Sequence, residues 1–446
     1  MTSAESLAWA DIAAPLASLA GPRIPDQVFP AASHGLVSGY ADALPALRTA
    51  IETCHRAGGG RVLVPPGDYL LRGPLKLLSR VNLHLARGAT LRFSGEPDDF
   101  LPPAFQRWEG TEVHSHSPLI TAHQATDIAI TGEGVIDGQG SRIFASWQPL
   151  QSPDQTRLRD FGRDRTPLDM RIFGAGTKLR PSLFQPIDCE RVLLEGVTLR
   201  DSPFWVIHPT YCRHVIIRGV TVESLNHNND GCDPDSCTDV LIERCVFRTG
   251  DDSIAIKSGR DQDGRQIGRP TERLLIRDCE FYSRINGICI GSEMSGGVRH
   301  VFVENCNIHD ASSALYLKGN PDRGGYIEDV FMRNIKVMRA RAALIRFEPA
   351  YHSHRGGNTP PLFRRISVSD VRCGYADTYG FYLAGHPDQP VRDVALRNIT
   401  IGHAVEPLWR RHIESLRMQN VNIGGLDLPV DPVESPADAS PRQLRM

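Results

Sequence analysis

Several features are missing from this chain, and each absence removes a class of protein. No stretch of the 446 residues is apolar for the length needed to cross a bilayer, so no membrane partner is expected. Neither sign of charge dominates. Fifty Lys and Arg against 52 Asp and Glu leave a formal net charge of −2, without the basic excess that a nucleic-acid or polyanion surface requires. The ten cysteines show no paired Cys-x-x-Cys spacing of the zinc type, and no metal or cofactor is expected. Cys232 and Cys237 flank a tight acidic loop and are expected as free thiols, while redox compartment and oligomeric state carry no signal. The opening residues lack a basic segment followed by a clean apolar one. That leaves location open between the cytoplasm and export behind a removed leader.

What the chain does have is repetition. Val192-Leu-Leu-Glu-Gly-Val, Val215-Ile-Ile-Arg-Gly-Val and Val240-Leu-Ile-Glu-Arg-Cys share one pattern with segments beginning at Leu274, Val301, Val330, Ile366, Val394 and Leu416. Each is a short alternating strand, a polar kink and a second short strand. Such units cannot bury a face alone and must stack. The variable spacing between them, about 22 to 36 residues, puts variable loops on a regular core. An all-β fold, a right-handed parallel β-helix, fits best, with residues 128–135 as an earlier coil. Cys245, Cys279 and Cys306 recur at one place in the repeat, as small buried apolar residues do. The wider intervals place long loops after Gly259 and after Arg346, where they can wall a cleft. Ala41 to Ala57 reads as an amphipathic helix, with Leu44, Leu47, Ile51 and Cys54 at helical spacing. It suits a cap on the open end of the solenoid. The expected division is an N-terminal arm over 1–28, the β-helix over 29–428 and a Pro-, Asp- and Ser-rich tail over 429–446.

Inside the repeats two acidic clusters lie one coil apart: Asp230, in Asn228-Asn229-Asp230-Gly231, and the pair Asp251/Asp252 after Gly250. Stacking brings the three carboxyls onto neighbouring rungs of one face. Acids crowded together repel, so their pKa values separate, and one is left to give a proton while others take one. Adjacent residues of a strand point to opposite faces. A kink at Gly250 or Asp251 is therefore needed to turn both carboxyls into one cleft, and glycine permits such a backbone.

At these residues the chain resembles the polygalacturonase family of glycoside hydrolases, family 28, and its bacterial exo-acting branch. The resemblance is carried by Arg107-Trp108-Glu109-Gly110, Ser202-Pro203-Phe204-Trp205 with His208-Pro209, the 228–237 loop, residues 250–259 and Ile290-Gly291-Ser292-Glu293-Met294-Ser295-Gly296-Gly297. It implies inverting hydrolysis of a glycosidic bond in a pectin-derived galacturonan or related acidic oligosaccharide. Asp251 would be the general acid, with Asp230 and Asp252 holding and deprotonating the attacking water. Asn228, Lys257, Glu293, Asn286, Tyr316, Lys318 and His208 are the candidate substrate contacts. The sequence departs from the family pattern twice. Asn286 stands where the family has His, and Tyr316-Leu317-Lys318 replaces an Arg-x-Lys that grips the substrate carboxylate. A Tyr cannot make the bidentate fork of an Arg, so the substrate is expected to differ from galacturonan or to be gripped differently.

Three other readings compete. A hydrolase of a neutral or rhamnose-containing glycan, or a non-catalytic carbohydrate-binding β-helix, is consistent with the missing His and Arg. A polysaccharide lyase would need a Ca²⁺ cluster, which Asp230, Asp233 and Asp235 could mimic, and a Lys or Arg base.

Overall fold

The computed structural model describes residues 3–351, 354–435 and 441. The repeats seen in the sequence are its coils. Val192, Val215, Val240, Leu274, Val301, Val330, Ile366, Val394 and Leu416 are successive parallel register partners, and Ile128 pairs with Val192 before them. The fold is a right-handed parallel β-helix. Its core is one continuous apolar column in which Cys245, Cys279 and Cys306 stack with Val197, Val220 and Ile335. All ten cysteines are buried and free.

The polar kink has a steric cause. Gly196, Gly219, Arg244, Asp278, Asn305, Asn334, Asp370, Asn398 and Asn420 all have positive φ, between 51° and 78°. Glycine, Asn and Asp tolerate that left-handed conformation best, which explains their recurrence there. A second kink, invisible to the hydrophobic pattern, falls one residue before every repeat except that at Leu416, at Asp127, Arg191, His214, Asp239, Arg273, His300, Asp329, Arg365 and Asp393. Its side chains form ion pairs along the outside, including Arg191–Asp127 at 2.6 Å and Arg273–Asp239 at 2.7 Å.

The helix Leu44–Arg56 closes the N-terminal end, burying Leu44, Leu47, Ala50, Ile51 and Cys54. The arm before it is helical through Ser3–Ala8, Trp9–Ala13 and Ala14–Ala17. It lays Trp9, Ala13 and Leu16 on an outward apolar stripe of Ile216, Leu241, Leu275, Phe302 and Phe331, and so covers one exposed residue on each of five successive coils. Of the tail, Ser435 hydrogen-bonds both backbone groups of Arg410; residues 436–440 and 442–446 lie outside the described residues.

Four insertions rise from one side of the solenoid: the hairpin Ala104–Trp108 with Thr111–Ser115, the helix Ser152–Arg163, the short helix Asp261–Ile267 and the irregular residues 349–351 and 354–361. The last two follow Gly259 and Arg346. The helix Ser152–Arg163 packs closely enough that a Cβ on Gly162 would meet Thr111 at 3.2 Å and Asp263 at 3.4 Å. An ion pair of 2.6 Å between Arg355 and Asp160 joins residues 354–361 to that helix.

Candidate active site

The site lies where the column Ile207, Cys232, Ile254, Ile288 and Leu315 runs beneath these insertions. The 228–237 loop is locked to the next coil, with the Gly231 N–H donating to the Asp252 carbonyl at 2.9 Å. A Cβ on Gly231 would stand 2.5 Å from both Phe247 and the Ser253 carbonyl, so only glycine allows this approach. Gly250 is required for the same reason and not for an unusual φ: a Cβ there would meet the Asn226 carbonyl at 2.1 Å. The chain then bends. Thr249 and Ser283 hydroxyls each donate to the Asp251 carbonyl at 2.7 Å, and the strand resumes only at Ile254–Ile256. The bend turns both adjacent carboxyls to one side. Asp230, Asp251 and Asp252 each present an oxygen within 4.8 Å of the others.

Their surroundings separate their charges. Asp252 is fully buried and accepts from Lys318 Nζ at 2.9 Å, Asn286 Nδ2 at 2.7 Å and the Asn286 N–H at 3.2 Å. Burial alone would raise its pKa; the Lys318 and Lys257 ammonium groups and these hydrogen bonds outweigh it and hold the carboxyl below its ordinary value. Asp251 accepts from the Asp252 N–H at 2.9 Å, but among the described residues no cation pairs with it. Burial, then the Asp252 charge, pushes it up to about 6. Asp230 is driven well above the usual carboxylate range by burial and by the neighbouring Asp233 and Asp251. Its closest cation, Lys257 Nζ, is 3.9 Å away.

The candidate contacts divide into those at the acids and those that support them. Asn286 and Lys318 orient Asp252. Asn228 is partly exposed and held by Arg180, whose Nη2 donates to its Oδ1 at 2.6 Å. Lys257 is buried under the Trp205 ring at 4.7 Å and donates to Glu293 and the Gly291 carbonyl, both at 3.0 Å. Glu293, expected as a substrate contact, is enclosed by Lys257, Arg260 at 2.6 Å and the Ser292 hydroxyl at 2.8 Å. It is a counter-ion to the site's cations. His208 also moves out of the substrate set. It is fully buried, with its ring nitrogens facing Ser182 at 3.4 Å and Asp235 at 3.5 Å, and burial pushes its pKa down. Tyr316 stands beside the site, its buried ring 5.4 Å from the Lys318 ammonium; its hydroxyl donates to Glu348, and the Arg346 guanidinium covers its face at 4.4 Å.

Several residues that matter here escaped the sequence reading. Arg180 is fully buried and bonded to the His227 carbonyl as well as Asn228; burial pushes its pKa down to about 10. Nothing in its local sequence marks it. Arg107 forms a fully buried 2.8 Å pair with Asp235. That pairing, with the Gly259 N–H donating to the same carboxylate, takes Asp235 out of the cation cluster a lyase would need. Glu109 links Arg260 to Arg159 and Gln155 on the helix Ser152–Arg163. Arg107 and Glu109 sit in a segment whose resemblance signal was present; their partners are 128 and 151 residues away and were not.

Three carboxyls crowded together with unequal affinities for a proton, on a parallel β-helix beneath polar insertions, make an acid–base site. Comparison with known proteins names the family. Glycosyl hydrolases family 28 matches residues 54–411, and the chain belongs to that family. It is 31% identical over 356 residues to a probable polygalacturonase of Vitis vinifera, covering 77% of this chain and 67% of that protein. It is 27% identical over 365 residues to a polygalacturonase of Ralstonia nicotianae, covering 73% of this chain and 64% of that one. The chain thus spans about two thirds of the length of these relatives. The structure of a hyperthermoactive exopolygalacturonase from Thermotoga maritima superposes with a TM-score of 0.88 at 35% identity, covering 94% of this chain and 96% of that one.

Proposed function

We propose that the protein hydrolyses galacturonide bonds of pectin-derived chains from one end, with Asp251 as general acid and Asp230 and Asp252 binding and deprotonating the attacking water. One observation carries this assignment: of two adjacent carboxyls, Asp251 is held protonated to about pH 6 while Lys318 and Asn286 keep Asp252 charged. A leaving oxygen needs the first and a water needs the second. The names of the relatives supply the polymer class. Exo action is supported by the likeness to the exopolygalacturonase of Thermotoga maritima.

A second reading is retention. The nearest oxygens of the three acids lie within 4.8 Å of one another, a closest-atom spacing shorter than the about 6.5–9.5 Å between the carboxyls of a typical inverting pair. Inversion is kept as the first reading because Asp230 and Asp252 together can hold a water on the face of the anomeric carbon opposite the leaving oxygen that Asp251 protonates. Proton NMR of the first product from polygalacturonate decides. An inverted anomer released as a short product of uniform length supports the assignment; a retained anomer assigns Asp230 or Asp252 as nucleophile, and a ladder of oligomers excludes exo action. Unsaturated products that vanish with chelator would instead indicate a lyase, and binding without any product a carbohydrate-binding module.

A further inference from the structure

Asp233 is the site's unexplained group. It is fully buried, three residues after Asp230, and neither of its carboxyl oxygens has a hydrogen-bond partner. An ionised carboxylate in that state is among the most costly arrangements a protein can hold. Among the described residues the one cation within 4.0 Å is Lys257, whose Nζ stands 3.9 Å from Asp233, 3.9 Å from Asp230 and 3.0 Å from Glu293. Three acids therefore surround one ammonium. Glu293 has further cations in Arg260 and Arg323 and stays charged. Among the other acids facing Asp233, Asp235 is taken by Arg107 and Asp252 by Lys318, while Asp251 carries its own proton at acid pH. What is left is one cation, Lys257, between Asp230 and Asp233, and room for one negative charge between them.

We propose that Asp230 and Asp233 share a single proton across Lys257, and that Asp233, as a positioning residue, holds it so that Asp230 is anionic when it binds water. This rests on the assignment of Asp230 to the water. Burial raises Asp233 well above the carboxylate range against the pull of Lys257, consistent with the geometry. Two carboxyls that cannot both ionise titrate as a pair, so the apparent basicity of Asp230 belongs to both.

Infrared difference spectra of the full chain at pH 8, where Asp251 is ionised, test the shared proton without reference to activity. The wild type should show the carbonyl band of a buried protonated carboxyl. Asp233→Asn should abolish it, and so should Asp230→Asn, because Asp233 then pairs with Lys257 and ionises. No band in the wild type, or a band surviving in either variant, overturns the proposal. Kinetics on polygalacturonate give a second arm. Asp233→Asn, which mimics the neutral acid, should lower kcat/KM about three- to ten-fold and leave the acid limb of the pH profile in place. Lys257→Met should move that limb up by about one pH unit or more, since both acids then take a proton. A limb moving down by a unit or more in Asp233→Asn would mean that Asp233 is charged beside Asp230, and overturns the proposal. Inactivity of the wild type on this substrate would sink the assigned function alone and leave the infrared result to decide.

Discussion

Ion pairs occur on both faces of this solenoid, and the same chemistry does different work on each. On the outer face Arg273 and Asp239 meet at 2.7 Å with the arginine 38% exposed. On the cleft side Arg107 and Asp235 meet at 2.8 Å with neither side chain exposed at all. In water an ion pair gains little, because each partner is nearly as well solvated apart. Out of water the pair must be complete, because a lone buried charge has nothing to replace its hydration. The outer ladder therefore decorates the coils, whereas the inner pairs decide which acids are charged.

The largest effect expected is on chemistry. Asp251→Asn removes the proton donor and keeps its shape; turnover on polygalacturonate should fall about 10³-fold, measured by reducing-sugar release. Activity near that of the wild type would remove Asp251 from the mechanism. Next comes Arg107→Met, which strands Asp235 uncharged-partnered in the interior and should destabilise the fold by about 3–5 kcal/mol in urea unfolding.

Asp251→Asn should also stabilise the protein above pH 6. The sign follows from its raised pKa. A carboxyl at about 6 in the folded chain and about 3.8 unfolded keeps its proton longer when folded, so stability falls as pH rises between those values. The wild type is thereby poorer by about 3 kcal/mol at pH 8 than the variant, a difference that should vanish below pH 4. Equal urea midpoints at pH 8 would show that Asp251 is not held protonated.

A smaller change is expected from Tyr316→Arg combined with Asn286→His, which restores the family pattern. If the tyrosine marks an altered subsite, preference for galacturonides over neutral glycosides should rise several-fold; an unchanged ratio would show that the tyrosine only fills space beside Glu348. The smallest effect belongs to the outer ladder. Arg273→Ala should cost under about 1 kcal/mol and leave kcat/KM unaltered, and a larger loss would erase the contrast between the faces.

Much of this architecture was legible before any coordinates. The alternation at Val192, Val215 and Val240 returns as register partners residue for residue, because a stacked coil repeats its inward positions in sequence. The three acids were legible for the same reason, one coil separating Asp230 from Asp251 and Asp252. The second kink at Asp127, Arg191 and His214 was not, since it falls on polar residues that no hydrophobic period marks. Nor was the helix of the arm, whose apolar face is short.

Local pattern, then, determined the coil, its length, its cap and the identity of the three acids, because each depends on residues within one repeat. Only the tertiary structure decided which of those acids is charged. That choice depends on Lys318, Asn286, Lys257 and Asp233, which lie up to 66 residues from the acids they act on. It also depends on burial, which no single repeat possesses before the others stack upon it. Electrostatic free energy is set by distance through space and by the exclusion of water, and neither is written along the chain.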